Sequence, residues 1–168
     1  MASRAKTLYL MRHAHAAASG ALGDKFRPLD AIGREQARLV GAMLAGSGVE
    51  HILVSTAART RQTVAELGLL APVEADDALY DAGPSTLLER VRSLPTDKSV
   101  ALVCGHNPTI ASAVWGLADA ATSDPQALAD IAASFPTATC CQLVLGPTWE
   151  DLDRARLVRT LRPKRPQS

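Results

Sequence analysis

The sequence predicts an α/β protein, a three-layer αβα sandwich built on a mostly parallel sheet with an antiparallel edge strand. Short apolar runs recur at Thr7 to Met11, His51 to Val54 and Ser99 to Cys104, with the near-continuous hydrophobicity of strands buried on both faces. Each run ends in a polar turn followed by residues of helical periodicity. Strands alternating with helices imply right-handed crossovers, and therefore parallel pairing with helices on both faces. The length of 168 residues suits one domain at ~100–200 residues per domain. That domain is read as 1–168, with Pro163 to Ser168 as a disordered tail.

The first strand, Thr7 to Met11, stops abruptly at Arg12-His13. A Gly- and Ala-rich loop carrying Asp24, Lys25, Phe26, Arg27 and Pro28 leads to a helix from about Asp30 to Ala45. Ala37, Val40, Gly41 and Leu44 form its apolar face, and Asp30 is its N-cap. The second strand passes through Ser55-Thr56 into a helix reaching about Gly68, with Arg59 to Thr63 in its first turns. A short strand at Val73 to Ala75 and a helix at Ser85 to Leu94, with Leu87, Leu88 and Val91 on one face, come next. The third buried strand breaks at Gly105-His106-Asn107-Pro108, and Pro108 fits the first turn of the helix Thr109 to Leu117. A helix from Asp124 or Pro125 to Ala133 and a β run from Ala138 to Leu145 follow. After the turn at Gly146-Pro147, Arg156 to Leu161 is the antiparallel edge partner of that run.

Composition excludes several functions. Lys+Arg 18 against Asp+Glu 17 gives a formal charge of +1, so no global basic field recruits nucleic acid. With aromatics at 4%, base-stacking platforms are not expected either. The N-terminal apolar stretch, Thr7 to Met11, is far shorter than the ~20 residues that span a bilayer, so no membrane partner is expected. Cys104, Cys140 and Cys141 form an odd set without a C-x-x-C pattern, which suits a reduced, cytoplasmic protein. The one charge asymmetry is the run Arg154 to Arg165, six basic residues and no acid. It is read as charge protection of an edge strand, with docking of an acidic partner as the alternative.

Three strands end in polar clusters: Arg12-His13, Ser55 to Arg59, and Gly105-His106-Asn107. In a parallel sheet these ends converge, and ligands bind outside the carboxyl ends of the strands. Two histidines and two arginines at one place suit a dianionic phosphoryl group, because guanidinium forks match phosphate oxygens and imidazole serves as donor or nucleophile. The segment Leu8-Tyr-Leu-Met-Arg-His-Ala-His-Ala16 resembles the signature of the histidine phosphatase superfamily, the phosphoglycerate-mutase-like proteins, with R-H-A where R-H-G is usual. Arg27-Pro28-Leu29 with Gly33 and Gln36-Ala37, then Ser55 to Thr63, then Val103 to Pro108 resemble its further segments in the same order. The resemblance covers Thr7 to about Leu117 and implies a phosphoglycerate-mutase-like fold. Length and the R-P-L segment are most similar to the SixA-type phosphohistidine phosphatases. Only 47 positions separate Arg59 from His106, which suggests an open site suited to a phosphate displayed on a protein.

The resemblance implies phosphoryl transfer in two steps, with His13 as nucleophile and Arg12, Arg59 and a protonated or donor His106 on the equatorial oxygens. No metal or cofactor is expected, since the guanidinium groups supply positive charge. Asp81 is the candidate leaving-group acid, although a phosphohistidine, whose imidazole readily accepts a proton, makes a dedicated acid dispensable. Arg27, Asn107 and His15 are the candidate substrate-binding residues. Arg27 is otherwise a solvated loop charge, Asn107 a turn former and His15 a loop residue. Ser55 and Thr56 are read as helix caps, with donation to phosphate as the alternative. Arg61, roughly 200° around the helix from Arg59 at ~100° per residue, is assigned to a surface ion pair. The expected substrate is a protein phosphohistidine. The alternatives are a small phosphomonoester, or a catalytically weak phosphate-binding module if the Ala14 methyl crowds the phosphoryl group or strains the backbone.

Overall fold

The computed structural model describes residues 4–18 and 21–164. Its six strands are β1 (Lys6–Arg12), β2 (His51–Ser55), β3 (Val73–Asp76), β4 (Val100–Gly105), β5 (Cys140–Leu145) and β6 (Arg156–Leu161). They form one sheet in the order β3-β2-β4-β1-β5-β6. The pairs β3·β2, β2·β4 and β4·β1 are parallel. Both β1·β5 and β5·β6 are antiparallel, so the sheet is mostly parallel with β6 as the antiparallel edge partner of β5, as expected. The β run also starts later than Ala138, because that residue sits at φ 63, in left-handed rather than extended backbone.

The helices are α1 (Ala31–Met43), α2 (Ala58–Leu67), α3 (Pro84–Arg92), α4 (Thr109–Leu117) and α5 (Pro125–Ala133). Alternation along β1 divides the core between the two faces of the sheet. Leu8 and Leu10 pack with Leu87 and Val91 of α3, Ile110 and Val114 of α4, and Ala127 of α5. Tyr9 and Met11 face the other way, against Ala37 and Val40 of α1 and Val64 and Leu67 of α2. This is the three-layer arrangement that buried parallel strands require.

Two local features set up the site. Asp30 caps α1, accepting from Gly33 N at 2.9 Å. A Cβ at Gly33 would lie 1.9 Å from the His15 carbonyl oxygen, so only glycine lets the loop after β1 press onto that helix. Pro108 stands at the N-cap of α4, one position before the expected first turn.

Candidate active site

Because β2, β4 and β1 are adjacent, their polar ends meet on one edge of the sheet. Arg12 is opposite Gly105 in the parallel register, and His13 N donates to the Gly105 carbonyl at 3.0 Å. The rings of His13 and His106 then lie 5.4 Å apart, centroid to centroid.

His13 is 9% exposed. Its Nδ1 lies 2.7 Å from the carbonyl oxygen of Ala14, which can only accept, so Nδ1 carries the proton and Nε2 keeps its lone pair. Burial, joined by the charges of His106, Arg59 and Arg12 and opposed by the Ala14 bond, holds its pKa down at about 4. The ring is therefore neutral at physiological pH and held in one orientation by the Ala14 carbonyl. Burial, with Arg59 next, also brings His106 to about 4. Its Nε2 lies 2.8 Å from Ser55 Oγ, which in turn accepts from Ala57 N at 3.3 Å. With the hydroxyl hydrogen given to Nε2, the His106 proton sits on Nδ1, a buried atom without a partner and hence a free donor. Burial therefore keeps His106 a neutral imidazole at physiological pH, not an imidazolium.

Arg12 Nη1 donates to the Phe135 carbonyl at 2.9 Å, whereas its Nε is buried and unpartnered. Arg59, in the first turn of α2 and 7% exposed, donates from Nη1 to the Asp24 carbonyl at 2.9 Å and from Nη2 to Asp24 Oδ2 at 3.1 Å. Two of its five donors are engaged and the others remain for a ligand. Asp24 belongs to a 3-10 turn at Asp24–Phe26, and its carboxylate also accepts from Tyr80 Oη at 2.6 Å and Arg27 Nη1 at 3.0 Å. Those bonds, Tyr80 first and Arg27 and Arg59 after it, hold Asp24 well below the usual carboxylate range.

The other expected residues divide. Arg27 reaches the site's rim through Asp24 while anchoring its own Nε on the Ala17 carbonyl at 3.0 Å. Asn107 donates to the same Phe135 carbonyl as Arg12, at 3.2 Å, and its Oδ1 accepts from Ala111 N at 3.2 Å, so it braces the turn into α4. His15 turns to Asp30 Oδ2 at 2.5 Å and lines a separate groove with Gln36, Thr137 and Arg162. Asp81 is exposed and bonds no described side chain, though its charge reaches His106. Ser55 and Thr56 do not cap α2, whose N-cap is Ala57 without a side-chain bond; Thr56 donates to Asp77 Oδ1 at 2.7 Å. Arg61 is exposed and forms no ion pair with a described residue. Ala14 lies outside left-handed backbone, where Ala138 is the one described non-glycine residue. Its methyl belongs to the α1/α2 core. Its N–H donates to Thr63 Oγ1 at 3.0 Å, and that hydroxyl donates to the Arg59 carbonyl at 2.7 Å, coupling the loop after β1 to α2. In the tail, Arg159 and Arg162 are engaged with Gln142 Oε1 and the Asp130 carbonyl, and Arg165 lies outside the described residues.

Among the described residues, no group of three or more His, Cys, Asp or Glu is placed to hold a metal ion. No described helix is long and apolar enough to cross a membrane.

Comparisons with known proteins agree with this geometry. The family described as the histidine phosphatase superfamily (branch 1) matches residues 8–85. A Nakamurella multipartitia protein assigned as a phosphohistidine phosphatase SixA superposes with a TM-score of 0.87 at 36% identity, covering 97% of this chain and 99% of that one. An Agrobacterium tumefaciens protein of the same assignment gives 0.76 at 31% identity, over 95% and 99%. An uncharacterised Mycobacterium tuberculosis protein is 34% identical over 145 residues, 85% of this chain and 92% of its own length.

Proposed function

This chain belongs to the histidine phosphatase superfamily, and from that premise we propose that it is a phosphatase whose His13 takes the phosphoryl group of a protein phosphohistidine and passes it to water. The observation that carries the reading is the His13 ring, fixed through Nδ1 on the Ala14 carbonyl and kept neutral by burial. In the first step Nε2 forms a bond to phosphorus while the bond to the leaving group breaks and its electron pair departs with that group. Arg12 Nε, the remaining Arg59 donors and His106 Nδ1–H take up the charge on the equatorial oxygens, with no metal called for. In the second step water attacks phosphorus, the electron pair returns to Nε2, and the water's proton leaves with phosphate or solvent.

Protein-borne phosphohistidine is favoured over a small metabolite by the openness of the site. The stretch from Arg59 to His106 is filled by the rest of α2, a short edge strand, one 3-10 turn, α3 and β4, with no lid to enclose a small substrate. The SixA assignment of two similar proteins points the same way. The test is a panel of a phosphohistidine-bearing protein, sugar phosphates and a phosphoserine peptide. Phosphohistidine is expected to lead in kcat/KM by about tenfold or more. A sugar or serine phosphate in first place would replace this substrate with a phosphomonoester.

A further inference from the structure

We propose that Asp24 is the leaving-group and specificity residue of this site: a rim carboxylate that accepts the ring N–H of a departing imidazole, and so favours phosphoimidazoles over phosphate esters. The inference rests on the phosphatase reading above and narrows which bond the site cleaves.

Position comes first. Asp24 Oδ2 is 3.1 Å from Arg59 Nη2 and 2.6 Å from Tyr80 Oη, and the Tyr80 ring stands edge-on to His106 at 5.7 Å between centroids. The carboxylate is thus in direct contact with one of the groups that hold phosphoryl oxygens, and one side chain from another. A carboxylate offers about four acceptor positions. Arg59, Tyr80 and Arg27 fill three, and the Asp24 side chain is 52% exposed, so acceptor capacity remains for an incoming N–H.

Chemistry then selects the leaving group. Asp24 is held ionised by those three donors, so it has no proton to give an alkoxide. Asp81 bonds nothing in the site. An ester leaving group would have to depart unassisted. A phosphoimidazole differs, because the ring nitrogen distal to phosphorus takes a proton from solvent near the ordinary imidazole pKa of about 6.5. When Nε2 of His13 bonds to phosphorus and the P–N bond breaks, the electron pair goes to the proximal ring nitrogen and neutral imidazole leaves. A carboxylate on the distal N–H favours the protonated ring and raises its basicity. The same negative charge opposes substrates with further anionic groups at that rim.

The test compares wild type with Asp24→Asn on a phosphohistidine peptide, N-phosphoimidazole and p-nitrophenyl phosphate, whose leaving group needs no proton, from about pH 5 to pH 9. Asparagine keeps an acceptor oxygen but loses the charge. The two imidazole substrates are expected to lose about tenfold or more in kcat/KM relative to the nitrophenyl ester. The alkaline fall of their turnover should move to lower pH, and Asp24→Glu should restore part of both. An equal loss on all three substrates with unchanged pH profiles would overturn the inference, leaving Asp24 as a brace for Arg59. If wild type ignores the peptide yet prefers N-phosphoimidazole in an Asp24-dependent way, the role of Asp24 stands and the protein substrate falls.

Discussion

Strand β1 carries a cation at each end, and the two are treated in opposite ways. Lys6, 7% exposed, donates from Nζ to the Thr96 and Lys98 carbonyls at 2.9 and 2.8 Å and sits 5.8 Å from the centroid of the Trp149 ring. The indole of Trp149 donates to the Lys98 carbonyl as well, at 2.8 Å. At the carboxyl end, Arg12 meets one carbonyl and leaves Nε buried without a partner, and His106 Nδ1, just beyond the end of the paired strand β4, is equally unpartnered. Burying polar atoms unpaired costs about 1–3 kcal/mol each. A fold that satisfies one end of a strand so fully and leaves the other short of acceptors has placed its deficit where an anion would settle it. On the proposed function, the amino end is scaffold and the carboxyl end receives the phosphoryl oxygens.

Substitutions should separate the two ends. Arg59→Ala removes a fork from the receptor end and is expected to lower kcat about a hundred- to a thousandfold with the fold intact, read by initial rates and circular dichroism. A loss below threefold would mean that its guanidinium serves only Asp24. Lys6→Met should give the reverse pattern. The Thr96 carbonyl loses its Lys6 donor and the Lys98 carbonyl keeps only the Trp149 indole, which costs about 1–3 kcal/mol in urea denaturation while turnover stays within about twofold. A large activity loss with unchanged stability would break the division.

The smallest effect concerns acid. Both histidines have folded pKa values near 4 against 6.5 unfolded, so below about pH 6.5 the unfolded chain binds protons that the native one refuses. Their contribution to stability is complete above that pH and is lost as pH falls through 4. Denaturation at pH 7 and about pH 4.5 should differ less in His13→Ala than in wild type, by about 1–2 kcal/mol. Identical differences in the two proteins would place the acid sensitivity elsewhere.

The residues readable from sequence were those whose chemistry follows from strand ends. Arg12, His13, Arg59 and His106 each stand at or just beyond the carboxyl end of a buried run, and the order β2-β4-β1 makes those ends neighbours. Ser55 was misread as a cap, because its partner His106 is 51 residues away and only the sheet brings them together. The signal was present: Ser55 occupies the equivalent strand end, one step beyond the Val54–Cys104 register pair. Asp24 and Tyr80 meet although 56 positions separate them, and the short 3-10 turns that carry them have no periodicity to anchor a register. Ala14 lies outside left-handed backbone and its methyl packs into the core, so the backbone strain expected there is absent.

The central claim is that the phosphoryl group passes through His13. Rapid quenching of a radiolabelled substrate, followed by mapping of the acid-labile, base-stable phosphate, tests it most directly. One phosphoryl group per chain on His13, absent in His13→Ala together with turnover, is the predicted result. Label on another residue, or wild-type turnover in His13→Ala, would contradict it.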